Sequence, residues 1–106
     1  SPVRDGQQRE RIVVKDLIVD VGRHEVFKGD RHIELTATEF RILYHLASHP
    51  GRAFTREQLL NRVVGENAVV VDRNIDVHIR AIRKKLGDYA SMIQTIRGVG
   101  YRFVHE

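Results

Sequence analysis

The segment with the clearest chemical character is 72–86, which combines basic, amide and small side chains with branched aliphatic ones. On a helix that turns 100° per residue, Ile79, Ile82 and Leu86 fall within about 40° of Ile75. We therefore predict a helix over 72–86, with Asp72 as its N-cap. The opposite side of this helix would carry Arg73, Asn74, Val77, Arg80, Ala81 and Lys84, with His78, Arg83 and Lys85 on its flanks.

A helix face of this composition has the chemistry to bind a nucleic acid. Lysine and arginine bind phosphates, whereas short and amide side chains can reach base edges. Asn74 has the groups for two hydrogen bonds to an adenine, and Val77 and Ala81 can each contact a thymine methyl group. The alternative is an ordinary amphipathic helix with a solvated basic face, and the helix alone leaves both interpretations open.

The second candidate segment is 93–104, which we predict to be a β-hairpin. Ile93–Arg97 and Tyr101–Val104 would be its strands, and Gly98-Val99-Gly100 would form a three-residue loop in which both glycines permit the tight reversal. Arg97 and Arg102 would lie near its tip. A narrow minor groove attracts a projecting arginine because it concentrates negative potential. A plain hairpin with exposed charges is the alternative, but together with the helix the segment favours DNA binding.

The distribution of charge supports this interpretation. The chain of 106 residues has a net charge of +4. Residues 72–105 hold seven Lys/Arg against three Asp, whereas residues 1–71 hold eleven Lys/Arg against ten Asp/Glu. The excess positive charge therefore lies almost entirely in the segment that contains the predicted helix and hairpin, which indicates an anionic partner.

The rest of the chain supplies elements that would position these two segments. Apolar residues alternate from Ile12 to Leu35, with breaks at Gly22 and at 29–30, which predicts three or four short antiparallel strands. Thr36-x-x-Glu39 and Thr55-x-x-Gln58 are capping boxes, so each should begin a helix. The predicted fold is α+β, a winged helix-turn-helix: an N-terminal antiparallel sheet, three helices and a C-terminal hairpin wing. We assign 1–11 to a linker or tail and 12–105 to the domain.

Other chemistry finds little support in the sequence. There is no cysteine. His45 and His49 are four residues apart on a predicted helix and could hold a metal, but such pairs are more often surface residues. Gly98-x-Gly100 is too short for a dinucleotide site, and neither a nucleophile motif nor paired carboxylates occur. We predict no enzyme activity, no cofactor and no metal.

No apolar run approaches the roughly 20 residues that span a bilayer. The absence of cysteine fits a reducing compartment, so we expect a cytoplasmic location and no membrane partner. A pure protein-interaction module is the remaining alternative to DNA binding, and the apolar stretch 68–71 favours it slightly.

Four separated motifs resemble the OmpR/PhoB family of response regulators, in its C-terminal winged-helix effector domain. They are Leu35-Thr36-x-Thr38-Glu39-Phe40 with Leu43, Thr55-Arg56-Glu57-Gln58-Leu59-Leu60, the run 73–86, and the run 93–103. The resemblance covers about 12–104 and is closest to the PhoB branch, through the stretch 69–73.

The resemblance implies a sequence-specific, double-stranded DNA-binding output domain of a two-component phosphorelay, with a receiver domain upstream that this chain lacks. The second and third helices would form the helix-turn-helix, with the third in the major groove and the wing at the minor groove. Family members usually bind direct repeats as head-to-tail dimers. The loop before the third helix often contacts RNA polymerase, commonly its sigma subunit; here the implied contact residues are Glu66, Asn67, Ala68 and Val69. A module that contacts RNA polymerase without specific DNA readout is the alternative.

The resemblance also implies particular DNA contacts, which we expect at Arg73, Asn74, Val77, His78, Arg80, Ala81, Arg83, Lys84, Thr95, Arg97 and Tyr101. Asn74 and Val77 would face bases, Arg97 would probe the minor groove, and Tyr101 would contact the DNA backbone. Two positions depart from the family pattern. The second helix ends Val63-Val64-Gly65 where Val-Trp-Gly is common, and Ala81 stands where close PhoB-like sequences have a basic residue. Since Ala81 cannot donate a hydrogen bond to guanine, we expect a different preferred site.

Overall fold

The computed structural model describes residues 11–64 and 74–104 and confirms the α+β winged-helix architecture. An antiparallel sheet of four strands in the order β1-β2-β3-β4 comes first. Its strands are β1 Arg11–Val14, β2 Leu17–Asp20, β3 Glu25–Lys28 and β4 Arg31–Ile33. Alternate residues such as Leu17, Val19 and Val26 are buried, as a half-buried sheet requires. Arg11 pairs with Asp20, so the sheet begins one residue before the predicted boundary.

The first two helices begin at their predicted capping boxes. Helix α1 spans Ala37–Ala47, and α2 spans Arg56–Val64. The backbone N–H of Glu39 donates to Thr36 Oγ1, and that of Thr36 donates to Glu39 Oε1, both at 3.1 Å. Thr55 and Gln58 exchange the same two bonds, at 2.9 and 3.0 Å. Each box satisfies two N–H groups that a helix start leaves unpaired.

The third helix, α3, begins later than predicted. It spans Ile75–Leu86, and its N-cap is Asn74, whose side-chain oxygen accepts the Asp76 N–H at 3.0 Å. The prediction of Asp72 as the cap, and of helix from 72, was therefore wrong; position 72 itself lies outside the described residues. The backbone of Asn74 is extended (φ −83°, ψ 101°), so the helical conformation begins only after this residue. The helix ends at Leu86, as predicted, and its C-cap Gly87 has a left-handed φ of 60°.

A second sheet contains the wing and one strand that the sequence pattern did not predict. Its order is β5-β7-β6, with β5 Ala53–Thr55, β6 Ile93–Ile96 and β7 Gly100–Phe103. A 3₁₀ segment, Gly87–Met92, connects α3 to β6 and was also not predicted. Strand β5 pairs with β7 and so attaches the wing to the start of α2.

The hairpin loop is displaced by one residue from its predicted position. Ile96 pairs with Gly100, so the loop consists of residues 97–99. Gly98 makes the reversal, with φ +78°. Gly100 has a different role: it is buried, and a Cβ there would overlap the carbonyl oxygen of Phe54 in β5. The glycine at position 100 is therefore required by the close approach of a neighbouring strand.

One hydrophobic core joins the sheets and helices. The predicted apolar stripe of α3 lies in it, with Ile75, Ile79, Ile82 and Leu86 all at most 3% exposed. Across the described parts of the chain, 11–64 and 74–104, we find no helix long and apolar enough to cross a membrane.

Candidate nucleic-acid interface

The outward face of α3 has the composition that its spacing predicted. Val77 is 43% exposed, although it is a large aliphatic residue on a helix. Arg80 and Lys84 are exposed on the same side, Ala81 is half-buried, and His78 lies half-buried on the flank. Arg73, which was also predicted on this face, lies outside the described residues. The helix therefore presents an apolar centre with cationic side chains, backed by a fully packed inner stripe.

Asn74 has a structural role that the sequence interpretation did not assign to it. Its Oδ1 accepts the backbone N–H of Asp76 as the N-cap of α3. Two hydrogen bonds to an adenine would require both Oδ1 and the amide nitrogen. Oδ1 already accepts one of the two hydrogen bonds that its lone pairs allow, so a pairing with adenine would share this oxygen with the cap; the base contact of Asn74 stays a prediction.

Arg83 and Thr95 bond to each other within the domain. The guanidinium of Arg83 donates to the carbonyl oxygen of Ile93 through Nε (3.2 Å) and Nη2 (2.7 Å). Nη2 also donates to Thr95 Oγ1 at 2.8 Å. These bonds tie the last turns of α3 to the first strand of the wing.

Tyr101 is buried, at 4% exposure, and its hydroxyl donates to Asp76 Oδ1 in the first turn of α3. Arg56, the first residue of α2, donates from Nε to the same carboxylate oxygen at 2.7 Å. The guanidinium groups of Arg56 and Arg83 lie 5.3 and 5.6 Å from the centre of the Tyr101 ring, within the range of a cation–π contact. We call Arg56, Asp76, Arg83, Thr95 and Tyr101 the wing brace.

The ionisation of the brace favours its hydrogen bonds. The Tyr101 hydroxyl, followed by the Arg56 guanidinium, holds the pKa of Asp76 below its ordinary value. Burial, followed by the bond to Asp76, raises the pKa of Tyr101. The hydrogen bond to Asp76 raises the pKa of Arg56. At neutral pH the carboxylate is ionised and both donors keep their protons, so the brace is fully formed.

The wing tip places Arg97 in solvent. Arg97 and Gly98 are exposed, and Val99 is 42% exposed. Arg102, the other basic residue of the hairpin, donates to the side-chain oxygen of Gln94 at 2.7 Å and is half-buried. Of the two wing arginines considered in the sequence, Arg97 is therefore the one with the freer approach to a ligand.

Two members of the wing brace, Arg56 and Asp76, were absent from the predicted site. A local signal existed for Asp76: it is an acidic residue in the first turn of a helix with a basic outer face, where the N-terminal dipole favours a carboxylate. Arg56 had no comparable signal, because its partner is 20 residues away in the sequence.

The sequence analysis also considered a polymerase contact and a metal site. The polymerase-contact residues Glu66, Asn67, Ala68 and Val69 lie outside the described residues. Within 11–64 and 74–104, the structure contains no group of three or more His, Asp, Glu or Cys placed to hold a metal ion. His45 and His49, the pair with metal-like spacing, have ring centres 5.2 Å apart.

Comparison with known proteins agrees with this geometry. Residues 29–103 match the family described as "Transcriptional regulatory protein, C terminal". The phosphate regulon transcriptional regulatory protein PhoB of Escherichia coli K12 is 47% identical over 96 residues, which is 89% of this chain and 42% of PhoB. The chain thus spans less than half the length of this relative.

Solved structures show the same fold. The RstA DNA-binding domain of Klebsiella pneumoniae, crystallised with the RstA box, is 33% identical, with a TM-score of 0.76 over 90% of this chain and 97% of RstA's. The DNA-binding domain of CpxR from E. coli is 38% identical, with a TM-score of 0.75 over 90% and 96% of the two chains. The segment that matches the family model, 29–103, contains α3, the wing and all five residues of the wing brace. This chain belongs to the family of C-terminal domains of transcriptional regulatory proteins of the OmpR/PhoB type.

Proposed function

We propose that this chain binds specific double-stranded DNA as the transcription-regulating output domain of a two-component response regulator. Helix α3 enters the major groove, and the β6–β7 hairpin reaches the minor groove. The observation that carries the proposal is the pairing of two exposed surfaces: the outer face of α3, with Val77, Arg80 and Lys84, and the wing tip with Arg97. The wing brace holds the two surfaces in one orientation.

The exposed residues have direct roles in this proposal. Arg80 and Lys84 bind phosphates, Val77 packs on a thymine methyl group, and Arg97 enters the narrow groove. Ala81 offers only a methyl group where a basic side chain would donate to guanine. The base preference at that position therefore rests on shape and apolar contact.

The internally bonded residues have indirect roles. Arg83, Thr95 and Tyr101 use their polar groups to hold the wing against α3. Their contribution to DNA affinity comes through the orientation of the wing, because contacts set by a rigid support cost less ordering on binding. Asn74 contributes by starting α3 at a fixed position relative to the groove.

The partners beyond DNA rest on the family resemblance. We propose that the full-length protein carries a receiver domain before this one, joined through 1–11, and binds direct repeats as a head-to-tail dimer in the cytoplasm. We propose that Glu66, Asn67, Ala68 and Val69 contact RNA polymerase, through its sigma subunit. If this contact were the only function, the chain would bind polymerase without specific DNA readout.

A salt titration of DNA binding separates these two functions. Binding sites are first selected from a random DNA pool, and affinity for the best site is then measured by fluorescence anisotropy. The logarithm of affinity should fall linearly with the logarithm of salt concentration, by about 0.9 per phosphate neutralised. The double variant Arg80→Ala/Arg97→Ala should lower that slope by up to about 1.8, because it removes two cationic contacts.

The matched control is Arg11→Ala/Arg31→Ala, which removes two exposed charges of the same kind from the four-stranded sheet. The control should keep the slope and lose little affinity. Equal losses in both double variants would mean that net charge alone attracts DNA. No selected site at all, with polymerase binding intact, would establish the protein-interaction function instead.

A further inference from the structure

A cavity lies between the turn that connects β2 to β3, helix α1 and the end of α2. Its volume is about 260 Å³. Since one water occupies about 30 Å³ of liquid, the cavity can hold a small polar group with several waters. We call it the His45 cavity; its described lining residues are Val21, His24, Phe40, Arg41, Tyr44, His45 and Arg62.

The charged groups of the His45 cavity are of one sign. Arg41 and Arg62 contribute guanidinium groups, and His24 and His45 contribute imidazoles, whereas no described lining residue is acidic. A recess lined with charges of one sign concentrates the potential and attracts the opposite charge. The cavity is therefore suited to an anion.

His45 provides the second, independent observation. Its residue is 9% exposed, and among the residues that the structure describes its buried Nε2 has no hydrogen-bond partner. Buried polar atoms in native proteins are nearly always paired, so an unpaired one in a residue that lines a cavity points to a ligand for that cavity. Its ring packs on Phe54, with 4.4 Å between centres, which fixes the imidazole in place.

The surroundings keep His45 neutral in the absence of an anion. Burial, followed by the positive charges of Arg62, His49 and Arg52, lowers its pKa to about 4. A neutral imidazole with its proton on Nε2 is a hydrogen-bond donor, and its neighbour Arg62 supplies the positive charge that attracts an anion. A carboxylate placed between them would satisfy Nε2 and offset the repulsion at the same time.

We propose that the His45 cavity binds a single carboxylate group, held by the Arg62 guanidinium and the Nε2–H of His45. The site is separate from the DNA interface. Arg62 is in the last turn of α2, six residues from Arg56 of the wing brace, or about 9 Å along the helix at 1.5 Å per residue. The carboxylate can come from an acidic side chain of a protein partner or from a small organic acid, since both present the same group.

Proton linkage gives the proposal a specific signature. A bound anion stabilises the charged form of His45, so binding must raise its pKa, and anion affinity must increase as the pH falls toward that value. A pKa raised by about one unit corresponds to tenfold tighter binding of the anion to the protonated form. A merely structural histidine has no such dependence on the anion present.

The test follows the His45 imidazole resonance of this chain by NMR, without DNA, in sodium formate and in sodium chloride at equal ionic strength. We expect formate to shift the resonance saturably at pH 7 and to raise the titration midpoint by about one unit. N-acetylglutamic acid amide, which presents one side-chain carboxylate, is the second probe. A response at much lower concentration than formate assigns the site to a protein side chain, whereas an equal response assigns it to small carboxylates.

Two arginine variants provide the matched comparison. Arg62 and Arg52 both lower the pKa of His45, but only Arg62 lines the cavity. Arg62→Gln should abolish the response to formate, and Arg52→Gln should keep it; amide spectra check that both variants are folded. A response that survives Arg62→Gln, or identical titrations of the parent chain in formate and chloride, would overturn the proposal.

Discussion

Removal of the Tyr101 hydroxyl tests whether the wing brace positions the wing on DNA. Tyr101→Phe keeps the buried ring and its two guanidinium neighbours, and it deletes only the bond to Asp76 Oδ1. Among the described residues, the bond from Arg56 is then the one that remains on that oxygen. We expect the domain to stay folded and its affinity for the selected DNA site to fall.

The magnitude follows from the bond that is lost. A hydrogen bond to a charged group contributes about 1.5–3 kcal/mol. The Asp76 side chain is 43% exposed, so water replaces part of the interaction and the lower end, about 1.5 kcal/mol, applies. If all of that energy orients the wing, DNA affinity falls about tenfold, since 1.4 kcal/mol is a factor of ten.

The assay is a double-mutant cycle with Arg97→Ala, measured by fluorescence anisotropy at a fixed salt concentration. If the brace places Arg97 at the minor groove, the loss caused by Arg97→Ala should be smaller in the Tyr101→Phe background. Tyr44→Phe makes the same chemical change at a 37% exposed position on α1, and we expect it to leave binding unchanged. Losses that add to within about 0.5 kcal/mol would refute the coupling.

Three further predictions concern stability and base preference. The pKa of His45 is lowered in the folded chain, so the unfolded chain binds the proton more readily. The free energy of unfolding, measured by urea titration, should therefore fall by about 2 kcal/mol from pH 7 to pH 5. His45→Gln should remove this dependence on pH. Gly100→Ala should cost about 3 kcal/mol through overlap with the β5 backbone, whereas Gly98→Ala, with open space around it, should cost only the left-handed strain of about 1–2 kcal/mol. Ala81→Arg should move sites selected from a random pool toward guanine at one position, by about 1–3 kcal/mol of discrimination; an unchanged base profile would place Ala81 away from the bases.

The features that the sequence predicted correctly are local ones. The capping boxes at Thr36 and Thr55 involve residues three apart, and the inner stripe of α3 is a periodic pattern. Such patterns predict the structure correctly because the interacting groups are close to one another in the sequence. The start of α3 was predicted wrongly because Asp72 and Asn74 are both residue types that cap helices well. The sequence alone does not choose between them.

The features that the sequence did not predict depend on contacts between distant residues. Strand β5 has three residues, too few for an alternating pattern, and it exists because β7 pairs with it. The close approach of β5 also explains Gly100, which looked like part of the loop. The brace joins residues 12, 20 and 25 positions apart, and residue type alone does not say whether a basic side chain such as Arg83 turns inward.

The brace also explains how a carboxylate can occupy a helix that faces DNA. An ionised Asp76 near phosphates would be repelled by them, and an acid in the first turn of α3 would then weaken binding. Here the guanidinium of Arg56 offsets the charge of the carboxylate, and the neutral Tyr101 hydroxyl donates a second hydrogen bond to it. The same charge that would oppose DNA therefore links α2, α3 and the wing into one unit. Arg80, whose charge also lowers the pKa of Asp76, is left exposed for the phosphates.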